Sequence, residues 1–249
     1  MKILVCIGHV PDTTTKVKFN NNFTTFDETG VQWVINPWDE LALTRAIELK
    51  EQSNGKITKV TVVNVGKAVT EPTIRKALAI GADDAIRIDA DPVDSYTIAG
   101  QIANAVKAEN FDIIFCGIET SDYNGSSVGA MLSEFLDIPS VSAVSSFEIV
   151  NDEINIKREI DGGKESITIP CPVLVIIQKG VCINPRIPAM RGIMMARTKP
   201  LAVVQPAAID PLVTTSVFEL PPARTACKMV DAEDTDKLID LLRNEAKVL

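Results

Sequence analysis

Short apolar runs alternate with amphipathic stretches through the first half of the chain. The continuously apolar runs, which are typical of strands buried on both faces of a sheet, cover residues 2–7, 60–65, 85–88 and 112–116. Between and after them, apolar residues recur at helical spacing and predict helices near residues 37–49, 71–80, 95–108 and 127–136. Strands and helices in this alternation predict an α/β fold with a doubly wound, mainly parallel sheet.

The pattern changes after residue 140. Residues 141–149, 153–160 and 165–169 alternate like antiparallel strands, and Gly162-Gly163 supplies a turn. Residues 173–177 then form another buried run, and residues 16–35 predict a smaller hairpin near the start. The chain beyond residue 200 is rich in proline and predicts loops, followed by a final helix near 233–246. We therefore expect an α/β domain over residues 1–200, with an antiparallel hairpin addition, and an extended C-terminal arm over residues 201–249.

Composition narrows the possible functions. The 249 residues carry a formal charge of −8 and only 5% aromatics, which argues against a nucleic-acid surface. A single histidine, His9, disfavours most zinc sites and histidine-based catalytic triads. The five cysteines contain no CxxC pair and fit a reducing compartment. With no apparent signal peptide and no membrane-spanning run, we expect a cytoplasmic protein without direct membrane insertion.

A loop rich in glycine and serine is the best candidate for binding chemistry. It spans residues 117–129, follows a buried strand and leads into a helix N-terminus, where free N–H groups suit a phosphate. Asp122 could accept hydrogen bonds from a ribose or an amino group, and Ser126 and Ser127 could donate to phosphate oxygens. In the alternative interpretation, residues 122–125 form a turn and Ser126 caps the helix. The sequence has neither a P-loop nor a GxGxxG motif, so it does not predict nucleotide hydrolysis or a standard NAD site.

Two other segments are open to more than one interpretation. His9 follows the first strand and could act as a base, but no partner motif supports this, and we favour a loop histidine without a proton-transfer task. Met190, Met194 and Met195 lie near Ile187 and Ile193 in an otherwise polar segment. Methionine-rich surfaces are adaptable docking sites, but the same side chains could fold onto the core.

Several fragments, in their order and spacing, resemble the β subunits of electron transfer flavoproteins along nearly the whole chain. The fragments are KILVCIGHVPD, INPWDELALTRAIELKE, TIRKALAIGADDAI, GIETSDYNGSSVGAML, REIDGGKE, NPRIPAMRGIMMARTKPL and PPARTA. The resemblance implies a Rossmann-like, adenine-nucleotide-binding domain and a heterodimer with an α subunit that holds most of an FAD. Such pairs accept electrons from acyl-CoA dehydrogenases of fatty acid β-oxidation and related dehydrogenases, and pass them to a membrane quinone oxidoreductase. Because the redox chemistry would reside in FAD, we expect an electron-carrier subunit with no catalytic acid, base or metal.

The resemblance also implies that this subunit buries a structural AMP. The matching positions are Cys6, Asn36, Pro37, Trp38, Asp39, Val65, Gly117, Asp122, Asn124, Gly125, Ser126, Ser127 and Val128. For partner docking, it implies that Met190, with Ile187 and Ile193, provides an apolar anchor for the dehydrogenase. Glu159 matches a glutamate that pairs with an arginine of the α subunit, and the arm would reach across that subunit.

Two departures from the family pattern keep alternatives open. Many AMP-binding relatives have threonine where Val128 stands, whereas valine occurs in the electron-bifurcating branch, which holds a second FAD in place of AMP. Ser126 and Ser127 could supply the missing hydroxyl. Many relatives also have an aromatic residue near the flavin where Thr13 stands. We expect AMP, with a bifurcating subunit as the first alternative and a stand-alone adenine-nucleotide enzyme or sensor as the second.

Overall fold

The computed structural model describes residues 1–151, 153–224 and 226–249. Asp152 and Thr225, the latter within the fragment PPARTA, lie outside this description. The strands are β1 (Lys2–Cys6), β2 (His9–Pro11), β3 (Phe19–Asn20), β4 (Thr25–Phe26), β5 (Trp33–Ile35), β6 (Lys59–Val65), β7 (Asp84–Ile88), β8 (Ile113–Gly117), β9 (Ser140–Val150), β10 (Glu153–Ile160), β11 (Gly163–Ile169), β12 (Val173–Ile177) and β13 (Leu201–Val204). The α-helices are α1 (Pro37–Gln52), α2 (Glu71–Ile80), α3 (Ser95–Val106), α4 (Val128–Leu136), α5 (Met190–Ala196) and α6 (Thr235–Asp240).

Within the described residues, one large sheet has the strand order β11-β10-β9-β12-β8-β1-β6-β7-β13. Its neighbours are parallel except around β10, which runs antiparallel to both β9 and β11. This arrangement confirms the predicted α/β class, the doubly wound sheet and the antiparallel addition. Two small ladders, β2 with β5 and β3 with β4, form the excursion between β1 and α1.

The apolar runs are continuous because the sheet buries both of its faces. Successive side chains of a strand point to opposite faces, so Ile3 and Val5 of β1 join the hydrophobic layer that contains residues of α1 and α2. Leu4 and Cys6 join the layer that contains residues of α3 and α4. These two layers define the two sides of the sheet on which the sites below are located.

Three elements differ from the expectation. Residues 201–204 form β13 and pair with β7, where the sequence indicated a loop. The methionine-rich segment contains the short helix α5, and the final helix is shorter than expected, with α6 followed by a π-helical turn at Leu241–Glu245. Edge pairing with a strand more than a hundred residues away leaves no local pattern, which explains the missed strand. The division at residue 200 stays a prediction, although the sheet extends four residues beyond it.

The chain after β13 runs along its own α/β domain before the final helix. The Gln101 side chain in α3 exchanges two hydrogen bonds of 2.8 Å with the backbone of Ala207. The ring of Phe218 stacks on Phe19 in the small hairpin, with centroids 4.7 Å apart. Among the described residues, no helix is long and apolar enough to cross a membrane.

Candidate functional site

The strand order reverses between β1 and β8. From β1 the chain moves outward to β6 and β7, then returns to place β8 on the other side of β1. In open α/β sheets, ligands bind at the carboxyl ends of the strands beside such a reversal. The last residues of three neighbouring strands, Cys6, Val65 and Gly117, lie there. The structure therefore brings these three predicted site residues to one edge of the sheet.

Asp39 in the first turn of α1 joins the two strands at the reversal. Its Oδ2 accepts a hydrogen bond from the backbone N–H of Gly8 at 2.8 Å, and its Oδ1 accepts one from Gly117 at 2.9 Å. Burial raises the pKa of Asp39 to about 6, although hydrogen bonds from Gly8, Asn36 and Gly117 oppose that rise. Asp39 therefore acts as a buried brace between β1 and β8.

Asn36 fastens the loop that follows β8. The side chain is fully buried, and its Nδ2 donates to the carbonyl of Glu119 at 2.8 Å, while its Oδ1 accepts from the N–H of Ser121 at 3.2 Å. It makes no side-chain cap bond to α1, because the amide is used across the site instead. Pro37 is the first residue of α1, and Trp38 packs its Cβ close to Gly117. Asn36, Pro37, Trp38 and Asp39 thus support the site from one side.

The glycine- and serine-rich loop lies exposed above this edge. Residues 122–126 are all exposed, and Asn124 and Ser126 adopt left-handed backbone conformations with φ of 50° and 49°. A turn is present, but it spans residues 120–124 and not 122–125, since the N–H of Asn124 donates to the carbonyl of Thr120. Ser126 does not cap the helix, because its hydroxyl donates to the Glu119 carboxylate at 3.2 Å. A Cβ at Gly125 would lie 3.5 Å from Ser95 Oγ, so the loop approaches the start of α3.

The N-terminus of α4 points into the same region. Its N-cap residue is Ser127, whose side chain makes no cap hydrogen bond. The first N–H groups of a helix have no intrahelical acceptor, and they suit an anion when no side chain caps them. Val128 packs against the layer under α3 and α4, and Gly129 is buried against Ile176. The start of this helix is therefore held firmly against the sheet, with the Ser127 hydroxyl available.

Two thiols lie beneath the site. Cys6 and Cys116, at the ends of the adjacent strands β1 and β8, are buried in the layer under α3 and α4. A hydrogen bond with the Cys6 thiol, together with burial, raises the pKa of Cys116 well above its usual value. A thiol with a raised pKa stays protonated at neutral pH and is a poor nucleophile. Both residues therefore serve as apolar packing.

Three contributors to this site, Gly8, Glu119 and Ser95, were not among the predicted binding residues. Gly8 donates to Asp39, Glu119 binds both Asn36 and Ser126, and Ser95 lies next to Gly125. Only Glu119 fell within the loop that the sequence singled out. Ser95 carries no local signal of a site, because in the sequence it is simply the first residue of a helix.

The predicted docking residues lie elsewhere. Ile187 and Met190 have exposed fractions of 87% and 74%, and Ile193 is also exposed. They belong to the segment around α5, which packs on α2, and not to the edge near β8. Glu159 in β10 is exposed, accepts a hydrogen bond from Gln178 at 3.2 Å and lies 3.4 Å from Lys164 Nζ. The structure thus separates the nucleotide-site candidates from the docking candidates.

Comparison with known proteins identifies the family. The electron transfer flavoprotein domain matches residues 24–209. The chain belongs to the electron transfer flavoprotein family. An electron transfer flavoprotein subunit beta from Bacillus subtilis is 35% identical, with both chains covered completely. The human subunit beta is 29% identical over all of this chain and 99% of its own length.

A third relative carries a different name. The acryloyl-CoA reductase electron transfer subunit gamma of Anaerotignum propionicum is 29% identical over 97% of both chains. These matches confirm the resemblance to electron transfer flavoprotein β subunits and the role in electron transfer. The family also implies association with flavin and an α subunit as partner.

Proposed function

We propose that this chain is the β subunit of a heterodimeric electron transfer flavoprotein that carries a structural AMP. Its partner α subunit holds most of the FAD, which accepts electrons from acyl-CoA dehydrogenases and delivers them to a membrane quinone oxidoreductase. The observation that carries the proposal is the meeting of Asp39, Gly117 and the open N-terminus of α4 at the reversal of strand order. A nucleotide there would tie the loop after β8 to the sheet.

The residues present fit AMP. The N–H groups at the start of α4 and the Ser127 hydroxyl would hold the phosphate. Asp122 is exposed in the loop, where a carboxylate can accept hydrogen bonds from a ribose or an amino group. Cys6 and Val65 offer an apolar floor for the base. AMP supplies no redox chemistry, so its contribution in this subunit would be structural.

The FAD supplies the electron-carrying chemistry when it is bound, and we assign no catalytic acid or base to this chain. His9 supports this assignment. Its Nδ1 lies 2.7 Å from the hydroxyl of Thr73, and its ring stacks on Trp33 with centroids 4.5 Å apart. Burial lowers the pKa of His9, which favours the neutral form. A neutral, stacked histidine with a hydroxyl partner serves the packing of the β2–β5 region.

A second FAD in place of AMP is the alternative. Val128 offers no hydroxyl to a phosphate and packs against the layer under α3 and α4. One of the relatives is named as an electron transfer subunit of an acryloyl-CoA reductase, so a similar chain serves a partner other than a dehydrogenase by name. In this alternative the chain would be the β subunit of an electron-bifurcating flavoprotein, with the larger nucleotide at the same strand ends.

Exposed apolar side chains in the arm and around α5 support the proposed partner subunits. Leu212, Val213 and Leu220 in the arm are more than half exposed, as expected for a segment that lies against another chain. We assign this surface, together with Glu159, to the α subunit. Ile187, Met190 and Ile193 form a separate exposed apolar group, which we assign to the electron-donating dehydrogenase. The relative named for acryloyl-CoA reductase supports a donor or acceptor that acts on acyl-CoA thioesters.

The decisive experiment is to count nucleotides. The chain is co-expressed with its α subunit, the purified complex is denatured, and the released nucleotides are separated and quantified. One FAD and one AMP per heterodimer is the expected result. Two FAD and no AMP would establish the bifurcating alternative. A nucleoside triphosphate without flavin would contradict both and would indicate a stand-alone adenine-nucleotide protein.

A further inference from the structure

The short helix α5 is fixed to α2 by a charged side chain. Arg75 in α2 donates through Nη1 to the carbonyls of Ala196 and Lys199, at 2.8 Å each. Ala196 is the last residue of α5. The last carbonyls of a helix receive no hydrogen bond from an N–H of the same helix. A guanidinium at this position donates hydrogen bonds to those carbonyls, and its positive charge interacts favourably with the negative end of the helix dipole. Arg75 therefore stabilises the C-terminal end of α5.

The contact is reciprocal. Lys199 Nζ donates to the carbonyls of Leu78 and Ala82, at 2.8 and 2.5 Å. Leu78 lies in the last turn of α2, and Ala82 directly follows the C-cap residue Gly81. Each helix thus has its C-terminal end closed by a cation from the segment of the other. We call this pair of contacts, between Arg75 and Lys199 and the facing carbonyls, the helix clasp.

The backbones of α5 and α2 also touch directly. A Cβ at Gly192 would lie 2.3 Å from the carbonyl oxygen of Ala79, so only glycine permits this approach. Ala196 is buried in the hydrophobic layer beside α2. The helix clasp therefore flanks a tightly packed interface between α5 and α2, where even a small shift of α5 would cause steric overlap or lose packing contacts.

The other end of the segment is fastened to α1. The N–H of Arg186 donates to the Thr44 hydroxyl at 2.9 Å, and its guanidinium binds both oxygens of Glu51, at 2.8 and 3.1 Å. A bidentate pair of this kind restricts orientation as well as distance. Residues 183–199, which we call the docking segment, are thus tied to two helices on the same side of the sheet.

The docking segment nevertheless presents apolar side chains to solvent. Ile183 and Met194 have exposed fractions of 96% and 67%, close to the values for Ile187 and Met190. A fixed backbone with exposed apolar side chains loses less conformational entropy on binding than a mobile loop does. This combination is what a preformed docking surface for a protein partner requires.

We propose that Arg75 is a positioning residue for electron transfer, which holds α5 so that Met190 meets an apolar pocket on the electron-donating dehydrogenase. The inference rests on the proposed function, because the occupant of the surface is the dehydrogenase proposed there. Arg75 itself does not touch that partner. It acts through the carbonyls of Ala196 and Lys199, which set the orientation of the helix that begins at Met190.

The test compares two arginine variants in the complete complex with the α subunit. Arg75→Gln removes the clasp from one side. Arg87→Gln is the matched control, because Arg87 in β7 also donates through Nη1 to a backbone carbonyl, that of Gly66 at 2.9 Å. Its charged partners are Asp89 and Glu71, which lie outside the docking segment. Reduction of the complex by a purified acyl-CoA dehydrogenase is followed at varied complex concentration. For Arg75→Gln we expect the KM for the complex to rise roughly five- to tenfold, as loss of charged hydrogen bonds implies, with kcat unchanged.

A second readout needs no partner. Hydrogen exchange of the amides in residues 190–196 should accelerate in Arg75→Gln and stay unchanged in Arg87→Gln. Arg75→Lys keeps the charge, so its KM should lie between those of the wild type and Arg75→Gln. An unchanged KM in Arg75→Gln would overturn the inference, and so would an equal rise of the KM in Arg87→Gln or a proportional loss of kcat in Arg75→Gln.

Met190→Ala separates this inference from the proposal on which it rests. If Met190→Ala leaves the KM unchanged, the proposed docking function is wrong. If Met190→Ala raises the KM while Arg75→Gln alters neither the KM nor the exchange of α5, the docking function stands and the positioning role of Arg75 is wrong.

Discussion

The carboxylate of Asp39 and the backbone of Gly117 meet so closely that no side chain fits between them. The N–H of Gly117 donates to Asp39 Oδ1 at 2.9 Å, and a Cβ at Gly117 would lie 2.3 Å from that same oxygen. The Asp39 carboxylate can therefore brace the end of β8 only because residue 117 is glycine. The nucleotide-site candidates depend on this contact, since the loop toward α4 starts here.

Gly117→Ala should displace the brace and destabilise the protein. Overpacking a buried contact and disturbing a hydrogen bond to a carboxylate together imply a loss of about 2–4 kcal/mol in the free energy of unfolding. Denaturant unfolding of the complex measures the loss. Gly163→Ala is the control, because a Cβ there would meet nothing within 4 Å. Equal stability of the two variants would contradict the role given to the contact.

Asp39 should make stability fall as pH rises through its own titration. Burial raises its pKa to about 6 in the folded chain, whereas an unfolded aspartate titrates near 3.9. The folded state binds more protons between these values, so the contribution of Asp39 to stability is full below about pH 4 and is lost as the pH approaches and passes 6.

The Asp39 prediction is checked by the carboxyl resonance of Asp39 in NMR and by unfolding of wild type and Asp39→Asn across that range. The variant should be less stable, because an amide cannot accept from both Gly8 and Gly117. In the variant, the free energy of unfolding should also fall less steeply between pH 4 and 6, because the titration of Asp39 no longer contributes. A carboxyl that titrates near pH 4 in the folded protein would overturn this account.

Ser127→Ala should lower the AMP content without lowering stability. The Ser127 side chain makes no cap hydrogen bond in α4, so its removal leaves the helix intact. If the hydroxyl donates to the phosphate, its loss should weaken AMP binding roughly tenfold. The measurement is the AMP released per heterodimer after dialysis. Val128→Thr should change the content in the opposite direction by adding a hydroxyl at the same helix start; unchanged AMP in both variants would refute the phosphate assignment.

Asp94→Ala should release the beginning of the arm. Asp94 caps α3 by accepting from Thr97, while its second oxygen accepts from the N–H groups of Leu212 and Val213 at 2.8 and 3.0 Å. Burial alone would raise the pKa of Asp94, but the hydrogen bonds from Thr97, Val213 and Leu212 outweigh it and lower the pKa to about 2. The stability that Asp94 supplies is therefore present above about pH 4 and is lost as the pH falls through 2.

Hydrogen exchange of Leu212 and Val213 in the complex checks the arm contact at neutral pH. It should accelerate in Asp94→Ala, with about 1 kcal/mol lost from the free energy of unfolding for the missing cap. Asp91→Asn serves as the control, since Asp91 is exposed and its carboxylate pairs with Lys67 at a distance of 4.0 Å. If exchange at these two amides is unaffected in Asp94→Ala, the arm is held by other contacts.

Much of the fold could be predicted because its signals are local. The alternation of apolar runs and helical periodicity predicted the parallel sheet, and Cys6, Gly117 and the loop toward α4 lie at the ends of the strands that it defined. Elements that depend on distant partners were missed. β13 forms only because β7 is available to pair with it, and α5 is stabilised by contacts with α2 across more than a hundred residues.

The sequence by itself determined the class of fold, the candidate strand ends and, through its fragments, the family. Only the tertiary structure decided how the candidates are used. Asn36 fastens the loop after β8 and Asp39 braces two strands, because their partners lie about 80 residues away along the chain. The physical reason is the same in each case. Periodicity reports which face of an element is buried, whereas hydrogen bonds between distant segments exist only after the chain has closed.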